Sequence, residues 1–152
     1  MTLHLFATFI LSISDMRLLY NIGIYLYVSV ARIMSLFDVK ARQWTVGRKG
    51  WEDLLRQRTV RDDKYIWIHC ASLGEFEQGR PVIEAIRKDM PGKKIILTFF
   101  SPSGYEIRKN YSGADIVCYL PADTPQNSDS FVSMVNPGMA VFVKYEFWNN
   151  YT

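Results

Sequence analysis

Two cysteines and two histidines in 152 residues leave little from which to build a disulfide framework or a metal centre. Cys70 and Cys118 lie inside apolar, strand-like runs, and neither has a second cysteine or a histidine at metal-ligand spacing. His69 is merely adjacent to Cys70 and would face the other side of a strand. Two buried free thiols in a reducing compartment are therefore expected. A large excess of one sign of charge is also lacking, and a net charge of +3 is too small to argue for nucleic acid. No Gly-x-Gly-x-x-Gly occurs and no P-loop Gly-Lys-Ser/Thr, which removes the main support for a pure nucleotide-binding domain. The N-terminal part also lacks a small-residue cleavage site of the kind a signal peptide needs.

What is present is a folded composition, 49% apolar and 22% charged, at a length suited to one domain and not comfortably to two. Residues 18–37 hold one charge, Arg32, and one amide, Asn21. Their apolar positions recur at helical spacing, with Tyr20, Tyr25 and Tyr27 as interface aromatics, so the stretch is long enough to cross a bilayer. A buried or interfacial helix is the alternative. Directly after it, residues 38–61 carry seven basic groups against three acids, the arrangement of a protein resting on an anionic membrane face. That charge bias puts the globular part in the cytoplasm. Residues 1–15, largely apolar with only His4 and Asp15 as titratable groups, read as an upstream extension, with Met16 the natural start.

From Tyr65 onward strands and helices alternate. Strands are expected at Tyr65–Cys70, Lys94–Phe99, 115–120 and 139–143, with helices at 79–88, from 101 to about 110, and at 124–135. Pro81 is expected in the first turn of the helix over 79–88. Strands that are apolar throughout are buried on both faces, and strands separated by helices pair in parallel. The expected fold is thus α/β, a Rossmann-like doubly wound parallel sheet preceded by an apolar membrane helix. In such sheets ligands bind outside the carboxyl ends of the strands, which gathers residues 71–76, 100–104, 121–125 and 144–148 on one rim.

Two carboxylates fall on that rim. Glu75 follows a small, glycine-containing strand-to-helix turn, where a carboxylate serves either as a helix cap or as a group that chemistry can use. Glu146 falls just past the last strand beside Phe147 and Trp148. It is either exposed next to core aromatics or a second carboxylate in the same cleft, where two such groups can divide proton abstraction and charge stabilisation.

The ordered set WIHCASLGEFEQGRPVIEAIR, LTFFSPSGYE, YLPADTP and VFVKYEFWNN, led by MRLLYNIGIYLY, resembles the Kdo (3-deoxy-D-manno-octulosonic acid) transferase family of lipopolysaccharide synthesis over residues 16–152. The resemblance implies a GT-B glycosyltransferase, with two Rossmann-like domains facing across a cleft. It implies transfer of Kdo from CMP-Kdo to the lipid A precursor, lipid IV-A, with inversion and with neither metal nor cofactor. On that footing Glu75 is the general base and Glu146 supports the transition state. Ser72, Gly74, Ser101, Ser103 and Gly104 would bind the acceptor, and Arg42, Arg48 and Lys49 would meet membrane or lipid phosphates. The implied organisation is 16–37 a membrane-associated or transmembrane helix, 38–64 a basic membrane-proximal segment, and 65–152 a truncated acceptor-side domain, with the donor-binding domain lying beyond. The fragment alone is then expected to be inactive, and its place is the bacterial inner membrane with no nucleic-acid partner. Where many family members read Glu-Thr-Glu-Leu-Trp-Pro, this chain has Lys144 to Asn149, so one acid is replaced by Lys144. Another membrane-associated GT-B enzyme, such as a lipid-linked N-acetylglucosamine transferase, is the nearest rival, but those carry a glycine-rich first loop with a histidine instead of Ser-Leu-Gly-Glu. A non-catalytic membrane-bound module is the rival from another class.

Overall fold

A computed structural model describes residues 13–144 and 148–152. Three helices precede the sheet: α1 (Ile13–Met34), α2 (Val39–Gly47) and α3 (Trp51–Arg58). Asp38 starts α2 by accepting the Ala41 N–H at 2.7 Å. The joint between α2 and α3 falls at Gly50, whose φ of 71° is a left-handed conformation that suits glycine. Neither α2 nor α3 was expected from the sequence, because a run rich in arginine and lysine shows only a weak apolar period.

The remaining elements are β1 (Tyr65–Cys70), α4 (Leu73–Asp89), β2 (Lys94–Phe99), α5 (Pro102–Arg108), β3 (Ile116–Tyr119), α6 (Pro125–Val135) and β4 (Pro137–Phe142). All four strands pair in parallel, in the order β3-β2-β1-β4. The chain winds outward from β1 to β3 and then returns to the far side of β1, so the winding direction changes between β1 and β4. This is the parallel α/β, Rossmann-like arrangement expected of the strand pattern.

Alternation along the strands sorts the core into two layers. Tyr65, Trp67, Ile96, Ile116 and Cys118 face α3 and α6, meeting Leu55, Phe131 and Val135. Ile66, Ile68, Cys70, Ile95, Leu97 and Phe99 face α4, meeting Phe76, Ile83 and Ile86. Each fully buried large side chain contributes about 1.5–3 kcal/mol. Helix α4 lies close on the sheet because Gly79 has no side chain: a Cβ there would come within 2.9 Å of Val143 Cγ2. Both cysteines are buried free thiols, as their apolar surroundings suggest.

Three expectations need correction. Helix α4 begins at Leu73 rather than near residue 79, so Pro81 lies inside the helix instead of in its first turn. Strand β4 is an edge strand with Met139 and Ala140 exposed, so it is not buried on both faces. Finally, no helix among the described residues is long and apolar enough to cross a membrane. Helix α1 ends at Met34, and Asp15, Arg17, Asn21, Arg32 and three tyrosines interrupt its apolar positions. One face of α1 is docked on the domain instead. Tyr25 donates to Gln126 at 2.8 Å, Asn21 accepts from Asn150 at 2.9 Å, and Tyr27 packs edge-on to Trp44.

Candidate functional site at the carboxyl rim

The carboxyl end of β1 opens into Ala71 and Ser72, and Ser72 is extended, with φ −138° and ψ 174°. That geometry makes it the N-cap of α4. The Ser72 hydroxyl accepts the Glu75 N–H at 3.5 Å, and the Glu75 carboxylate accepts the Ser72 N–H on Oε2 at 2.9 Å. This reciprocal pair satisfies two of the backbone donors that a helix start leaves orphaned. Glu75 is therefore a cap in this structure. One of its oxygens is committed to that bond, while Oε1 accepts none among the described residues. A cap and a proton acceptor are compatible roles here, because the bond that holds the carboxylate leaves half of it uncommitted. The side chain is half-buried at the strand end, on the rim where the winding direction changes.

Gly74, one residue earlier, is exposed, and a Cβ built on it would meet nothing closer than Ser72 Oγ at 4.0 Å. The protein's own packing does not require glycine there. Gly104 differs: it is buried, and a Cβ would collide with the Phe99 ring and come within 3.1 Å of the Ser72 carbonyl carbon. Its place is in packing α5 against the sheet, which accounts for a glycine there without any ligand. Ser101 caps α5, accepting the Ser103 N–H at 3.3 Å, and the two hydroxyls lie 3.0 Å apart. The Ser101 N–H in turn donates to the Ala71 carbonyl at 2.7 Å. Ser72, Glu75, Ser101 and Ser103 are thus brought to one rim by the loops that follow β1 and β2.

The β2 and β3 ends are tied down by Arg48, which is only 8% exposed. Its Nε donates to the Leu120 carbonyl at 2.8 Å, Nη1 to Trp44 at 3.0 Å and Nη2 to Phe100 at 2.7 Å. The guanidinium also stacks 3.9 Å from the centre of the Trp44 ring. Burial pulls it down to about 9, which leaves it charged at neutral pH. Arg48 is a staple across the rim, with its donors committed to these three carbonyls. Arg42 and Lys49 are exposed, and Arg42 Nε donates to the Ser35 carbonyl at 3.2 Å.

Two further groups went unrecognised in the sequence. Asp123, in the loop after β3, is buried and accepts from the Tyr20 hydroxyl and the Asn150 N–H. Burial pushes its carboxyl above the usual range. His69, at the end of β1, has Nδ1 2.9 Å from Thr98 Oγ1, and burial drives it down to about 3. A neutral imidazole of that kind is a poor proton acceptor near neutral pH. Cys70 is pushed up to about 12, first by burial and then by the negative charge of Glu75, so it is no nucleophile. At the fourth strand end the Val143 N–H donates to the His69 carbonyl, and Trp148 packs 4.8 Å from Phe100. Glu146 lies outside the described residues.

Residues 46–152 match the family model for 3-Deoxy-D-manno-octulosonic-acid transferase (kdotransferase). The 3-deoxy-D-manno-octulosonic acid transferase of Haemophilus influenzae is 31% identical over 86 residues, 56% of this chain and 20% of that protein. A probable mitochondrial 3-deoxy-D-manno-octulosonic acid transferase of Arabidopsis thaliana is 30% identical over 86 residues, 56% of this chain and 19% of its own. A bifunctional glycosyltransferase/methyltransferase of Fusobacterium nucleatum is 29% identical over 94 residues, 60% of this chain and 14% of that protein. The chain spans a fifth or less of these three relatives.

Proposed function

The chain belongs to the 3-deoxy-D-manno-octulosonic-acid transferase family, and from that premise we propose that it forms the acceptor side of a GT-B enzyme that moves Kdo from CMP-Kdo to the lipid A precursor. Glu75 is the general base. As the acceptor oxygen bonds to the anomeric carbon of Kdo, the acceptor proton passes to the Glu75 carboxylate and CMP departs with the electron pair, inverting the centre without a metal. The donor is held by the facing domain of the two-domain architecture, and Glu146 supports the transition state.

The observation that carries this reading is the fixed carboxylate: Oε2 is anchored by the Ser72 N–H at 2.9 Å at the end of β1, and Oε1 is left for a hydroxyl. The exposed, unpacked Gly74 beside it leaves room for an acceptor to approach the backbone. Ser72, Ser101 and Ser103 supply hydroxyls on the same rim. We place the enzyme on the cytoplasmic face of the bacterial inner membrane with α1 lying in the membrane plane. Support comes from the exposed Leu18, Leu19, Ile22, Leu26 and Ile33 on α1, from Leu36 and Phe37 after it, and from the exposed cations Arg42 and Lys49.

The test joins this segment to the remainder of the Haemophilus influenzae transferase and measures Kdo transfer from CMP-Kdo to lipid IV-A. Glu75→Gln keeps a residue that can complete the capping box, so stability stays within about 0.5 kcal/mol while transfer falls about 100-fold or more. Transfer within about twofold of the parent, with Gln in place, rules Glu75 out as the base.

A further inference from the structure

Between α1, α2 and the loop after β3 lies a cleft of about 460 Å³. Its walls include Arg32, Arg48 and Lys49 and no aspartate or glutamate. Glu75 does not line it. The guanidinium of Arg48 is buried, its hydrogen bonds go to neutral carbonyls, and no carboxylate among the described residues pairs with it. An uncompensated buried cation is expensive, and an anion placed nearby relieves that cost. The one acid in the adjoining loop, Asp123, is engaged with Tyr20 and Asn150 and does not line the cleft.

Three further features narrow the ligand. Thr124 and Asn127, at the positive end of the 11-residue helix α6, line the same space. Ser29, Thr45 and Gln126 add uncharged hydrogen-bonding groups, and Tyr25 and Trp51 are aromatic walls of the kind that sugar faces pack on. The cleft belongs to the same rim as Glu75: it lies by the end of β3, two strands from β1, or roughly 10 Å at the usual strand spacing. Exposed Phe37, at 81%, follows the helix that forms one of its walls.

We propose that this cleft, walled by Arg32 and Lys49 with the buried charge of Arg48 behind them, binds a phosphate monoester carried on a sugar. The inference deepens the proposed function by giving an acceptor headgroup a seat for its phosphate, and it rests on that function only for the identity of the full ligand. Arg32 and Lys49 contact the phosphate, and Arg48 acts through its field because its donors are committed. Binding and transfer are separable, because the cleft is read without turnover.

The experiment titrates the chain with glucosamine 1-phosphate and follows tryptophan fluorescence, to which Trp44 and Trp51 in the cleft wall contribute, with glucosamine as the phosphate-free control. Saturable binding of the phosphate and none of glucosamine is expected. Each of Arg32→Ala and Lys49→Ala weakens binding about tenfold, the loss expected for one charged hydrogen bond. Both residues are exposed, so these variants are expected to keep the fold, and an unchanged unfolding midpoint verifies it. A parallel arm uses phosphatidylcholine vesicles with and without phosphatidic acid. Binding to phosphatidic acid but not to glucosamine 1-phosphate overturns the sugar assignment, and equal affinity in both alanine variants overturns the site. Intact phosphate binding together with undiminished transfer by Glu75→Gln in the fused enzyme keeps the cleft and removes the base.

Discussion

At the β1 end of the rim, Ser72 and Glu75 hold each other across three residues of chain, whereas at the β3 end Arg48 reaches Leu120 across 72 and Tyr20 reaches Asp123 across 103. Both ends present polar groups to the same surface of the sheet, yet they are built differently. The first is a local device that any strand-to-helix turn with serine and glutamate can form. The second exists only when α1 and α2 are docked, so it joins the N-terminal helices to the sheet energetically. The difference suggests a division of labour: a self-contained position for the carboxylate proposed as the base, and a dependent one that reports whether the N-terminal helices are in place.

The sharpest way to break that contrast is Arg48→Ala. It leaves three carbonyls without their donor and opens a void beside Trp44 and Phe100. A loss of about 3–5 kcal/mol is expected in urea unfolding. Arg48→Lys recovers little of it, because an ammonium lacks the planar fork that serves three acceptors. Hydrogen exchange should speed up in α2 and in the 120–124 loop and stay slow in the first turn of α4. Equal acceleration at both ends would show that the rim is one unit.

Tyr20→Phe is the intermediate case. It removes the hydroxyl donor from buried Asp123 and should cost about 1–2 kcal/mol, visible as a lower thermal midpoint. Faster proteolysis between α1 and α2 would accompany it if α1 is held mainly by this contact. Ser72→Ala is the mildest, expected to cost about 1 kcal/mol, the usual value of an N-cap, with exchange enhanced only at the start of α4. A comparable effect on α1 would contradict the local character of the β1 end.

The strands were legible because YIWIHC and KIILTF are short apolar runs that only a buried strand accommodates, and their parallel order followed from the helices between them. The start of α4 is written just as openly, as Ser72 followed three residues later by Glu75, although the apolar period is clear only from residue 79 onward. Arg48 was illegible for a different reason. In a run of seven cations nothing local distinguishes the one that turns inward, since its partners Phe100 and Leu120 are far along the chain. Gly104 was ambiguous because a glycine near the rim has the same appearance in sequence whether a ligand or Phe99 needs the space. Helix α1 was overestimated as a membrane span because its tyrosines and Asn21 look like interface residues until their partners, Gln126, Asp123 and Asn150, come into view.

The shared hydrogen bond between Glu75 and the Ser72 N–H has a consequence for timing. A neutral carboxyl accepts a hydrogen bond less strongly than a carboxylate does. When Glu75 takes a proton, the first turn of α4 therefore loses part of its fastening, and it regains it when the proton leaves. In the role proposed for Glu75, the helix start would relax and tighten once per turnover, so the amide of Ser72 would record the occupancy of the carboxylate without any label placed on a substrate.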